Sequence, residues 1–301
     1  MVVFSKVVSI FILVVVGYVA RKAKVMDRTL ISGLSGFILN VAIPFTVLAS
    51  FDRSIPRSAM PDLFVVALWA LAIHVLSIFA ARFAYARTED GDRKVLSYVT
   101  VFSNCGFMGF PVAESVFGKI GVMYGSIYVI VFQTFVWTYG VALFSGIKGG
   151  GAQIRKALFN PGNAAVLIGL GIWLLPFDLP SSITSSISIL STLTTPLSMI
   201  VVGATLAEVP VKGLLKGKEL WIGTITRLAI IPLVFLGIMR LTGFESLPGR
   251  LAIFLASMPA AAQTVIFAER YKADVGLASR MVFVSTVLSA LTIPVFAILL
   301  R

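Results

Sequence analysis

Apolar runs of about 20 residues follow one another along almost the whole chain, and each is long enough to cross a bilayer as an α-helix. Charged residues make up 13% of the 301 residues, whereas an average soluble domain has about a quarter. One soluble core cannot bury so many apolar side chains. The sequence therefore predicts an all-α membrane protein.

Ten such runs can be delimited, which predicts ten transmembrane helices. The predicted spans are 3–20, 29–51, 62–81, 95–117, 120–146, 159–176, 182–207, 218–241, 249–270 and 275–300. The first run lacks a cationic start and a small-residue cleavage site, so we interpret it as a span rather than a signal peptide. An even number of crossings places both termini on one side.

Basic residues are distributed unequally between alternate connections. The connections after spans 1, 3, 5, 7 and 9 hold 17 of the 25 Lys and Arg residues, and the opposite side holds seven. Because the cytoplasmic side carries the excess, we expect an inner-membrane protein with both termini outside. Membrane topology also explains the net charge of +12 without a nucleic-acid partner.

A Gly-rich connection, residues 147–158, divides the spans into two groups of five, residues 1–146 and 159–301. An odd number of crossings inverts the second copy of a repeat. Pro44 of span 2 aligns with Pro196 of span 7 at an offset of 152 residues, and AESVFGKIGV aligns with AERYKADVGL at an offset of 155. We therefore expect two inverted five-helix repeats joined by a cytoplasmic hinge.

Two predicted spans contain residues that interrupt a helix. Span 4 includes SNCGFMGFP around Asn104, and span 9 includes SMPAAAQ around Pro259. At 1.5 Å per residue, Asn104 lies roughly 14 Å from the start of its span, near the bilayer midplane. Backbone N–H and C=O groups that lose their helical partners at such a break are tolerated in a membrane only beside a cavity or against protein. The N-terminal ends of broken helices offer free N–H groups to an anion, although Pro and Gly also kink helices that merely pack.

Spans 2, 4, 6 and 9 contain, in that order, the strings NVAIPFTVL, SNCGFMGFPVAESVFG, NPGNAAVLIGL and MPAAAQTVIFAERY. These strings resemble the auxin efflux carrier family. Its bacterial members include proteins described as malate or malonate permeases. The resemblance covers essentially the whole chain. It implies a fold similar to bile-acid symporters and sodium/proton antiporters, with a scaffold part, a transport part with crossed broken helices, and often a homodimer.

Carried over onto this chain, the resemblance places Asn104, Cys105 and Gly106 at one helix crossing and Pro259 and Ala260 at the other. The plant carriers typically have Pro before the asparagine, where this chain has Ser103, and a polar residue is common at the position of Ala260. The plant-hormone substrate is therefore not carried over.

Other polar and proline residues are weaker candidates for substrate contact. Gln263, one turn after Pro259, either lines a cavity or bonds a freed carbonyl group. Arg227 lies within span 8, where it either attracts and balances an anion or extends to the interface. The remaining candidates in spans 2 and 7 are Asn40, Pro44, Thr195 and Pro196.

The predicted function is secondary transport of a small organic anion, such as a mono- or dicarboxylate, by alternating access. A sodium-coupled symporter of the bile-acid type is the closest alternative, and the apolar run Ala260 to Ala262 argues against it. A channel or sensor is a third possibility. The sequence holds no Walker loop, HExxH or Gly-x-Ser-x-Gly motif, so we expect no enzyme activity, cofactor or metal.

Overall fold

A computed structural model describes residues 2–52, 54–146, 155, 158–176 and 178–300 of the chain. Most of the predicted hinge, residues 147–158, lies outside this described part. The described residues form an all-helical fold whose only strand-like element is one isolated pair, Ser103 with Ala260. The prediction of an all-α protein is confirmed.

The α-helices are numbered here in chain order. They are α1 (Val2–Lys22), α2 (Arg28–Phe37), α3 (Ile43–Ser50), α4 (Met60–Ala84), α5 (Asp90–Val101), α6 (Gly109–Phe117), α7 (Lys119–Phe135), α8 (Val141–Ser145), α9 (Pro161–Leu174), α10 (Ser181–Ser191), α11 (Thr194–Leu206), α12 (Lys218–Ile225), α13 (Ile231–Thr242), α14 (Leu247–Ala256), α15 (Gln263–Arg270) and α16 (Val275–Leu299).

Seven helical stretches in the described residues are long and apolar enough to cross a membrane. They match predicted spans 1, 2, 3, 5, 7, 8 and 10. The other three predicted spans correspond to the 14-residue helix α9 and to two broken pairs, α5 with α6 and α14 with α15. Large apolar side chains are exposed on many of these helices, as in Leu241 at 90%. A surface of this kind is suited to lipid and not to water.

Short π-helical turns precede two of the prolines that the sequence places inside spans. Residues 38–42 form one such turn just before Pro44, and residues 226–230 form another just before Pro232. Proline lacks an N–H group and its ring clashes with the carbonyl group of the preceding turn. A wider turn relieves that clash, so spans 2 and 8 continue through their prolines.

The chain divides into two compact units, and each contains stretches from both halves of the sequence. The first unit comprises residues 1–64, 106–130 and 159–208, and the second comprises residues 65–105, 131–158 and 209–301. These units differ from the predicted repeats, which are continuous halves of the chain. The repeat boundaries stay a prediction.

Close packing of α1 against α11 holds the first unit together. A Cβ atom at Gly17 would overlap the carbonyl oxygen of Ile200, and one at Gly203 would overlap that of Val14. Small residues at these positions let the two backbones touch, as is common between helices in membranes. The guanidinium group of Arg21 also pairs with Glu208 at 2.8 Å, near the ends of the same two helices.

Candidate functional site

Both predicted helix breaks are present in the structure, and they lie in spans 4 and 9. Helix α5 ends at Val101, and the chain then runs extended before a turn leads into α6 at Gly109. Helix α14 ends at Ala256, and α15 begins only at Gln263. Each span is therefore two shorter helices joined by non-helical backbone.

The two non-helical segments pair with each other in the second unit. We call residues 102–104 and 259–261 the paired segments. The backbone N–H of Asn104 donates to the carbonyl of Pro259 at 2.7 Å, and the N–H of Ala261 donates to the carbonyl of Phe102 at 3.2 Å. This antiparallel contact satisfies backbone groups that have no helical partner, which a membrane interior requires.

Side chains from neighbouring elements complete the hydrogen bonds of the paired segments. The hydroxyl of Ser103 donates to the carbonyl of Leu255 at 2.8 Å. The N–H of Ala260 donates to the hydroxyl of Ser285, in α16, at 3.1 Å. Sequence reasoning missed Ser285, because its partner is a backbone N–H that lies 25 residues away in the chain.

Arg227 lies buried in the second unit, with 1% of its surface exposed. Its Nη1 donates to the carbonyl of Thr100 at 2.9 Å, and its Nη2 donates to the carbonyl of Ala256. These carbonyl groups belong to the last turns of α5 and α14. The side chain is therefore buried and does not extend to the membrane–water interface. Its charge faces the C-terminal ends of α5 and α14.

The predicted site residues near the breaks are mostly buried. Asn104 is 6% exposed, and Cys105, Pro259 and Ala260 are buried as well. A Cβ atom added at Gly106 would meet no atom within 4 Å, so open space adjoins that residue.

Gln263 is the first residue of α15, directly after the second break. Its side-chain oxygen is buried and has no hydrogen-bond partner among the described residues. A buried amide oxygen without a partner is costly, so its retention needs a reason. Contact with a bound solute is one such reason.

The candidates from spans 2 and 7 belong to the first unit and are not brought into one unit with the paired segments. Pro44 is buried in α3, and Thr195 and Pro196 are half-buried in the first turn of α11. The side-chain amide of Asn40 donates to the carbonyl of Gly36, one turn back in its own helix, at 2.7 Å.

Spans 2 and 7 meet through a residue pair that sequence reasoning missed. The hydroxyl groups of Thr46 and Thr194 lie 2.6 Å apart, and Thr46 also donates to the carbonyl of Ser191 at 3.1 Å. The Thr46 hydroxyl also lies 3.0 Å from the carbonyl of Ala42, one turn back in its own span, which is the usual contact of a threonine in an apolar helix. Only the fold distinguishes Thr194 from its neighbour Thr195.

Each unit contains a cavity lined by both polar and apolar side chains. The cavity in the first unit has a volume of about 620 Å³ and is lined by seven Ser and Thr residues together with charged groups. Among these, Lys119 hydrogen-bonds Asp52 and lowers the pKa of that carboxyl to about 2. The cavity in the second unit has a volume of about 580 Å³ and reaches Thr100 at the end of α5.

The described residues contain no group of three or more His, Cys, Asp or Glu side chains that is able to hold a metal ion. The polar groups at the paired segments and directly beside them are backbone amides and carbonyls, hydroxyls, the side-chain amides of Asn104 and Gln263, and one guanidinium. Such an arrangement can bind a solute through hydrogen bonds and dipoles.

The chain is similar in sequence to known membrane proteins. A family profile described as a membrane transport protein matches residues 2–155 and 150–297. The chain is 31% identical over 301 residues to an "Uncharacterized transporter" of Methanothermobacter thermautotrophicus, covering 98% of this chain and 97% of that protein. It is 25% identical over 299 residues to "Uncharacterized transporter MJ1031" of Methanocaldococcus jannaschii, covering 95% of each chain.

A third relative carries a substrate in its name. The chain is 21% identical over 306 residues to a protein of Rhizobium meliloti described as "Putative malonate transporter", covering 98% of this chain and 95% of that protein. The matched family and these relatives are transporters and not enzymes. The chain therefore belongs to the membrane transport protein family, the auxin efflux carrier-like family that its motifs resemble, and it is an integral membrane transporter.

Proposed function

We propose that this protein is a secondary carrier that moves a small organic anion, such as a mono- or dicarboxylate, by alternating access. The observation that carries the proposal is the pairing of two broken helices at Ser103 and Ala260. In transporters built from inverted repeats, discontinuous helices of this kind form the substrate site near the bilayer midplane.

The proposed architecture has ten spans in two inverted repeats, residues 1–146 and 159–301. Seven continuous apolar helices, two broken pairs and the short apolar helix α9 add up to that number. We also propose that the protein lies in the inner membrane with both termini outside, which the excess of Lys and Arg in alternate connections supports, since the cytoplasmic side carries that excess. The family resemblance further suggests a homodimer.

The groups near the paired segments support the proposal of an anionic substrate. The N-terminal end of a helix carries a partial positive charge, which favours an anion. Helix α15 begins directly after the paired segments, and the side-chain amide of Gln263 lies in its first turn. The malonate transporter named among the relatives makes malonate the first substrate to test.

Flux of radiolabelled malonate and malate into proteoliposomes tests this function. A carrier shows saturable uptake that unlabelled substrate inside the vesicles accelerates, whereas a channel shows neither saturation at low concentration nor counter-transport. We expect Asn104→Ala to lower the flux at least about tenfold, the size of effect that loss of a well-placed polar contact produces. Its melting temperature should stay near that of the native protein, because the bond from Asn104 to Pro259 uses the backbone N–H.

Unchanged flux in Asn104→Ala would remove this side chain from the mechanism. Uptake that never saturates and ignores internal substrate would contradict the carrier itself.

A further inference from the structure

Two C-terminal helix ends lie beside the paired segments, in addition to the N-terminal end of α15. Helix α5 ends at Val101, and α14 ends at Ala256. The last carbonyl groups of a helix have no partner within it, and they give its C-terminus a partial charge of about −0.5. Two such ends together carry about one negative charge. Since both are buried, that charge needs a positive partner.

Arg227 supplies this partner for both helices at once. Its guanidinium donates to the carbonyl of Thr100 in α5 and to the carbonyl of Ala256 in α14, and the carbonyl of Val99 lies 3.5 Å from Nη1. The π-helical turn at residues 226–230 presents the side chain from a third element. One full positive charge therefore faces two half-charges of opposite sign.

In transporters with broken helices, unwound carbonyl groups and C-terminal helix ends are the groups that coordinate a coupling cation such as Na⁺. Here a side chain of the protein already binds them. Arginine stays protonated in proteins, so the charge remains throughout a transport cycle.

We propose that Arg227 is a tethered cation that replaces a soluble coupling cation at the paired helix ends. Transport by the native protein then needs no Na⁺, and removal of the guanidinium creates a requirement for a small monovalent cation. The flux part of this inference rests on the proposed carrier function. It also gives Arg227 a role that differs from direct contact with the anion, because the two helix ends already balance its charge.

Malonate flux into proteoliposomes, measured in sodium and in choline buffers, tests the inference. The native protein should give equal fluxes in the two buffers. The flux through Arg227→Gln should fall about tenfold or more in choline. Removing the guanidinium leaves the buried C-terminal ends of α5 and α14 without their positive partner. Low concentrations of guanidinium or Na⁺ should restore part of that flux. Arg250→Gln removes an equal charge from a surface pair with Glu245 and should change neither flux nor cation dependence.

A second measurement separates this inference from the proposed substrate. The melting temperature of the purified protein in detergent, without substrate, should not respond to the exchange of choline for sodium. Arg227→Gln should melt at a lower temperature, and guanidinium should raise it. If malonate is not transported under any condition, the proposed substrate fails, and the melting temperatures still decide the role of Arg227.

Arg227→Lys covers the case in which Arg227→Gln does not fold. Lysine retains the charge, so this variant should stay independent of Na⁺ with a reduced flux. Sodium-dependent flux in the native protein or in Arg227→Lys would overturn the inference. An Arg227→Gln variant that neither guanidinium nor Na⁺ affects, in flux or in melting temperature, would overturn it as well.

Discussion

The hydroxyl of Ser103 caps a helix to which Ser103 does not belong: it donates to the carbonyl of Leu255, in the last turn of α14, at 2.8 Å. Ser103 itself follows α5, so this single bond joins the two broken spans in addition to their backbone pairing. The serine that stands here in place of the plant carriers' proline therefore has a structural partner.

Replacing Ser103 by alanine should destabilise the second unit by about 1 kcal/mol, the usual size of a side-chain hydrogen bond inside a membrane protein. The melting temperature in detergent measures this loss. Ser257→Ala is the matched control, because the Ser257 hydroxyl bonds the carbonyl of Phe254 within its own chain segment. Equal losses in the two variants would show that the link between the spans contributes nothing of its own.

Replacing Gln263 by methionine should separate stability from transport. The buried side-chain oxygen of Gln263 has no hydrogen-bond partner among the described residues, so its removal should leave the melting temperature unchanged or raise it. If the amide contacts substrate, the same variant should raise the KM for malonate several-fold. A loss of stability with unchanged KM would instead assign Gln263 to a carbonyl group of the helix break.

The contact of α1 with α11 should tolerate no added methyl group. Gly203→Ala places its Cβ on the carbonyl oxygen of Val14, and overpacking of this kind costs about 1–3 kcal/mol. Gly33→Ala, in α2, is the control, since no atom lies within 4 Å of its added Cβ and alanine favours a helix. Thermal unfolding of the two variants should therefore shift in opposite directions.

Asp92 should make the stability of the second unit depend on pH. Burial, together with the nearby carboxylate of Asp274, raises the pKa of Asp92 above its ordinary value of 3.8. A carboxyl group with a raised pKa in the folded state favours folding below its ordinary value, and this contribution is lost as pH rises through the raised pKa. Asp92→Asn should therefore have a higher melting temperature than the native protein at neutral pH. The difference between the two melting temperatures should shrink as the pH approaches 4.

Asp90 provides the opposite case two residues away. A hydrogen bond from Lys94 lowers the pKa of Asp90, so that this carboxylate favours folding above its ordinary pKa. Asp90→Asn should accordingly lower the melting temperature at neutral pH. The same sign of shift in both aspartate variants would contradict these two pKa assignments.

The sequence predicted the helix breaks well because Asn104 and Pro259 oppose regular helix in recognisable ways. It also suggested Arg227 as an important residue, since a charge inside an apolar span requires a partner. It did not identify that partner. Backbone carbonyl groups are present at every residue, so only the fold shows that those of Thr100 and Ala256 converge on one guanidinium.

The same limit explains the residues that the sequence missed. Ser285 and Thr46 are ordinary hydroxyl residues in apolar helices, and their importance comes from partners distant in the chain. Asn40 illustrates the converse, because a conspicuous polar residue in a span is satisfied by the preceding turn of its own helix. Ten spans and an inverted repeat stay predictions, since seven continuous helices do not by themselves settle the number of crossings.

The molecule has one cysteine, and the fold buries its sulfur beside Asn104, next to the helix break. A maleimide reagent can therefore modify one native position, and it can do so only when that position becomes accessible. The rate of labelling, measured from either face of a vesicle with and without malonate, reports how often this point opens to water. The native chain thus carries its own reporter of the proposed alternating access, and no probe has to be engineered into it.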